Sequence, residues 1–110
     1  MDVFIYIYTF KFMFIFNLEH TEIQFGGIHV GYSPSGLRVS QFARRSMRLK
    51  EVIFAGTTDM TLRNYYKFLQ KLQISLLAKK YCIFTHNCRH ISLRLLQELK
   101  CDEGTGSFKL

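Results

Sequence analysis

Cys88 and His20 are the residues of this 110-residue chain best suited to covalent chemistry. Residues 81–85, Tyr-Cys-Ile-Phe-Thr, are aromatic and β-branched, and from Cys88 the apolar positions change to a helical period. Cys88, Ile91, Leu95, Leu96 and Leu99 then share one face. The pattern predicts a strand of about five residues turning directly into a helix over 87–100, with Asn87 as its N-cap. Cys88 would lie in the first turn, among N–H groups that lack intrahelical acceptors and at the positive end of the helix dipole. Both effects favour the nucleophilic thiolate. The same N–H groups, with Asn87, could support an oxyanion on an attacked carbonyl. The plainer alternative is a small buried cysteine packed on the apolar face of its helix.

A cysteine nucleophile needs a partner that takes its proton and returns it to the leaving group. His20 opens a segment in which His20, Glu22 and Gln24 alternate with Thr21, Ile23 and Phe25, the period of a half-buried strand. Gly26-Gly27 signals a two-residue hairpin turn. That turn sets Phe25 opposite Ile28, Gln24 opposite His29 and His20 opposite Ser33. His29 shares the face of His20 but lies roughly 13 Å along it, too far to orient the imidazole. Glu22, about 7 Å along the same face, is a weak candidate for that role, and Gln24 is a further polar group there.

The rest of the chain must bring residues 20 and 88 together. Residues 28–32 read as the return strand, Ser33 to Gly36 as a loop holding the only proline, and Leu37 to Val39 as another short strand. Lys50 to Ala55 reads as one more strand. A helix is predicted over 61–77, with Leu62, Tyr65, Tyr66, Leu69, Leu72 and Leu76 on its apolar stripe and Thr61, Asp59 or Thr58 as cap. Lys79-Lys80 then follows at the favourable end of the dipole. The expected fold is α+β, a small, mainly antiparallel sheet packed against two helices. Residues 1–18 are expected to form a buried strand, two short ones or an extension, residues 19–101 the domain, and residues 102–110 a frayed tail. The apolar run from Val3 to Phe16 is interrupted by Lys11 and falls short of the ~20 residues of a membrane helix. Membrane association through residues 1–18 is therefore the weaker reading. No signal-peptide pattern accompanies the run.

Composition is that of one globular domain. Three cysteines without tight spacing suit free thiols in a reducing compartment, the cytoplasm or also the nucleus. The net charge of +7 favours an acidic partner surface, although no specific nucleic-acid motif accompanies it. Much of the charge sits in Arg38, Arg44, Arg45, Arg48 and Lys50, which read more simply as a solvated surface. Cys82, His86, Cys88, His90 and Cys101 are crowded enough to raise a zinc site. Their spacing lacks the usual paired ligands, and Cys88 and His90 are about 200° apart around a helix, so no metal or other cofactor is expected.

His20-Thr21-Glu22-Ile23, followed late in the chain by Thr85-His86-Asn87-Cys88-Arg89-His90, resembles the PPPDE group of thiol peptidases. Gly26-Gly27 after the histidine strand, and Gly56-Thr57-Thr58-Asp59-Met60-Thr61 before a helix, agree in outline with that group over residues 20–100. Ile91 departs from it, standing where these relatives carry an aromatic residue. The resemblance implies a permuted papain-like fold in which histidine precedes cysteine. It further implies hydrolysis of isopeptide bonds to ubiquitin or SUMO-like modifiers, with Cys88 as nucleophile and His20 as general base. The lecithin:retinol acyltransferase-like proteins share the order of His and Asn-Cys-x-His and imply an acyltransferase or phospholipase instead. A non-catalytic basic interaction domain on the same fold is the remaining alternative.

Overall fold

The computed structural model describes residues 1–77 and 87–99. The expected strand at Tyr81 to Thr85, the lysines at 79 and 80, the tail from 102, and Cys82, His86 and Cys101 lie outside the described residues. Five strands, β1 (Asp2–Phe12), β2 (Phe16–Phe25), β3 (Ile28–Ser33), β4 (Gly36–Ser40) and β5 (Arg48–Thr57), are followed by α1 (Leu62–Leu77) and α2 (Cys88–Leu99). The strands form one antiparallel sheet in the order β4-β3-β2-β1-β5, so the fold is α+β. β5 is longer than the expected 50–55 at both ends.

Alternation of side chains decides which face is covered. Val3, Ile5, Ile23, Phe25, Ile28, Val30, Tyr32 and Ala55 join one cluster with Leu69, Leu72 and Leu76 of α1 and Ile91, Leu95, Leu96 and Leu99 of α2. β1 has neighbours on both edges and apolar residues on both faces, as suits a central strand. Tyr65 meets Phe25 edge to face, ring centroids 5.0 Å apart. Tyr66, expected on the same stripe, is 45% exposed instead. It lies one position beyond Tyr65, about 100° further around the helix, and turns off the core.

The two helices are fixed at their ends. The Thr61 hydroxyl accepts the Asn64 N–H at 3.2 Å and caps α1. Thr58 donates to the Leu99 carbonyl of α2 at 2.6 Å and accepts the Met60 N–H at 3.2 Å, joining the end of α2 to the approach to α1.

Residues 1–18 are not uniformly buried. Val3, Ile5 and Tyr8 are buried, whereas Met13, Phe14, Ile15 and Phe16 at the β1–β2 turn are exposed. Pairing with β5 stops at Thr9 opposite Arg48 and pairing with β3 at Glu22 opposite Gly31. Among the described residues, the outer end of the hairpin therefore has no sheet neighbour on either side to bury it. Among the described residues, no helix is long and apolar enough to cross a membrane.

Candidate active site

β2 pairs with β3 only from Phe25 opposite Ile28 to Glu22 opposite Gly31, while its pairing with β1 continues to the hairpin tip. α2 packs against β2 and β3 near the point where they part. Ser92 donates to the Thr21 carbonyl at 3.4 Å, and the two hydroxyls lie 3.0 Å apart. These buried contacts hold the N-terminal part of α2 beside the middle of β2. Asn87 caps that turn as expected, its side-chain oxygen accepting the Arg89 N–H at 3.0 Å and the His90 N–H at 3.4 Å. Cys88 consequently meets His20. The imidazole and Thr21 lie close enough to the sulfur to act on its ionisation.

Glu22 lies on the other side of the same imidazole. Its Oε2 is 2.8 Å from His20 Nε2, leaving Nδ1 as the ring nitrogen available to the sulfur. Arg44 Nε donates to Oε2 at 3.0 Å and Arg38 Nη1 to Oε1 at 3.1 Å. Glu22 is fully buried, and this set of donors is what makes a buried carboxylate tolerable. Arg38 reaches it across a gap. Glu22 stands opposite Gly31 and Gly31 opposite Arg38, a row across three strands in which only the middle residue lacks a side chain. A Cβ on Gly31 would lie 2.5 Å from Glu22 Oε2. Tyr8, paired with His20 across the sheet, accepts the Arg44 N–H at 3.2 Å and helps hold the arginine segment over the site.

The electrostatics follow from these contacts. Burial pushes the Cys88 thiol up, but hydrogen bonds from His20 and Thr21 and the charge of the imidazolium outweigh it, so its pKa is lowered. Burial pushes His20 down, but its hydrogen bonds to Cys88 and Glu22 outweigh that and raise its pKa. Burial likewise opposes ionisation of Glu22, and its hydrogen bonds to His20 and Arg44 reverse the balance. The directions agree with a thiolate beside an imidazolium beside a carboxylate.

The other sequence candidates fall elsewhere. Gln24 is half-buried one pleat further on and makes no hydrogen bond to His20. The Asn87 side-chain oxygen also lies 2.8 Å from His90 Nδ1, so His90 joins the cap. His29 pairs with Gln24, as expected, and packs edge to face on Tyr6 with ring centroids 4.8 Å apart. Its Nδ1 has no hydrogen-bond partner among the described residues. Among those residues, no group of three His, Cys, Asp or Glu side chains is placed to hold a metal.

Glu22, a weak candidate by its ~7 Å strand spacing, lies 2.8 Å from His20. One expectation is corrected. Arg38 and Arg44, read as part of a solvated surface, instead turn inward to Glu22. The sequence did carry a signal for Arg38. The two turns, at Gly26-Gly27 and Pro34-Ser35, fix the register that puts Arg38 across Gly31 from Glu22.

The same stretch is matched by a family model. The model for the PPPDE putative peptidase domain matches residues 7–104, most of the chain. The chain belongs to the PPPDE peptidase family. Its peptidase-type function follows at that coarse level, and the order of histidine strand before cysteine helix agrees with the resemblance of the motifs. The match begins inside β1, within the segment expected to be one or two strands or an extension. No curated protein matches the chain.

Proposed function

We propose that this PPPDE domain is a cysteine isopeptidase acting on conjugates of ubiquitin or SUMO-like modifiers, with Cys88 as nucleophile, His20 as general base and acid, and Glu22 as the group that orients His20. The observation that supports the reading is the buried His20–Glu22 contact at 2.8 Å, with Cys88 in the first turn of α2 close enough to His20 for each to shift the other's ionisation. The Cys88 thiolate would attack the carbonyl carbon, forming a C–S bond as the carbonyl becomes an oxyanion. The Cys88 backbone N–H is the natural donor to that oxyanion, because Asn87 already occupies those of Arg89 and His90. Collapse breaks the C–N bond, and the imidazolium gives its proton to the leaving amine. Water, deprotonated by His20, then hydrolyses the thioester, and expulsion of the sulfur restores the thiolate–imidazolium pair. Glu22 holds the ring in place and stabilises its charged form, while Arg38 and Arg44 hold Glu22.

A covalent probe built on the C-terminus of ubiquitin or SUMO tests the reading. Expected is a Cys88 adduct, lost in C88A and H20A. Trapping by an activated acyl lipid, with no reaction at the protein probe, would move the assignment to acyltransferase or phospholipase chemistry. The second reading, a non-catalytic basic interaction domain, is favoured by one observation: Cys88 is only 4% exposed and His20 only 3%. Failure of both probes would put that reading ahead.

A further inference from the structure

We propose that the β1–β2 hairpin tip docks this protein on an anionic membrane surface. The ribbon beyond Thr9 and Glu19 projects past both β3 and β5, and Met13, Phe14, Ile15 and Phe16 crown it with exposures of 66%, 96%, 74% and 56%. Contiguous apolar side chains on a convex tip are what an interaction surface looks like, not a gap in a core.

The backbone sharpens the point. Met13 and Phe14 have φ of 56° and 62°, the left-handed region that normally selects glycine or asparagine. The turn thus carries large apolar side chains where the conformation disfavours them and water gives them nothing to pack on. An apolar medium outside the protein supplies the missing contact.

Charge names the medium. Lys11 is exposed on the ribbon, Arg48 is exposed at its root, and Lys50 and Arg89 lie beside the root, both paired with Glu19. Counting Glu19 and Glu51 against these four cations still leaves the root positive. From tip to root the order is apolar, then cationic, which matches the depth profile of a bilayer with acyl chains beneath anionic headgroups. The hairpin enters the interface and does not span it. This docking is independent of the peptidase reading.

The chain contains no tryptophan, so Phe14→Trp makes a single fluorescent reporter at the tip. The full chain would be mixed with vesicles of phosphatidylcholine alone and with phosphatidylserine added. Expected are a blue shift of the F14W emission on the anionic vesicles only, and sedimentation of the native chain with them. That sedimentation should be weakened about tenfold by F14S/I15S and also by high salt. Retained thermal unfolding of F14S/I15S would show that the loss is not one of folding. A water-like F14W emission on the anionic vesicles, or binding unchanged by F14S/I15S, overturns the proposal. So does a tip-dependent dimer in sedimentation equilibrium without vesicle binding, which would make a second copy the occupant.

Discussion

Glu22 Oε2 lies 2.8 Å from His20 Nε2, a contact between two residues of one strand separated by a single position. Both are buried, and each is held on its far side, His20 by Cys88 and Glu22 by two arginines. The imidazole is thereby fixed in orientation and biased toward its charged form.

Glu22→Gln tests that bias. Loss of the carboxylate removes a group that raises the His20 pKa, so the alkaline limb of the pH–rate profile should move to lower pH. Turnover of the modifier conjugate should fall at least about tenfold. An unchanged alkaline limb would show that Glu22 does not tune His20.

The same carboxylate links stability to acid. Its folded pKa is lowered from the ordinary value of 4.5, so its contribution is present above that value and lost as pH falls through the lower, folded one. Acid unfolding of the native chain should therefore be steep below the ordinary carboxylate range, and E22Q should flatten it. E22Q should also be less stable near neutral pH, by about 3 kcal/mol, because Arg38 and Arg44 lose their buried partner. Urea unfolding at several pH values measures both.

Reactivity of Cys88 provides an independent check. With its pKa lowered by His20 and Thr21, Cys88 should react with iodoacetamide at neutral pH faster than Cys82 or Cys101. His20→Ala should slow it about tenfold or more. Equal rates for all three thiols would mark Cys88 as a buried packing residue.

Gly31→Ala would drive a Cβ against the Glu22 carboxylate. The substitution should destabilise by about 1–3 kcal/mol and lower activity through displaced Glu22, although Gly31 never touches Cys88 or His20. Native-like urea midpoints and rates for G31A would refute the three-strand row.

Ser92→Ala leaves the buried Thr21 hydroxyl short of a partner and loosens α2 on β2. Expected is a loss of about 1 kcal/mol in urea unfolding, with slower Cys88 labelling as the sulfur drifts from His20.

Local chemistry alone was enough to place several elements, though not the β1–β2 hairpin or the ends of β5. Strand alternation in residues 20–25, the Gly26-Gly27 turn, the Asn87 cap and the apolar stripe of α2 each depend on residues within one or two turns of chain, where period and capping act directly. Cys88 and His20 could be singled out for the same reason. Tertiary structure decided what faced them. Ser92 meeting Thr21 sets the sulfur beside the imidazole, a contact between residues 71 positions apart that no local period encodes. Glu22 is held against His20 as a buried carboxylate because Gly31 leaves room for Arg38 to cross a strand, and because Arg44 folds back from an irregular segment under the hold of Tyr8. Charge patterning read those arginines as solvated, since in sequence they are a basic run. A buried carboxylate two strands away gives them a stronger partner than water.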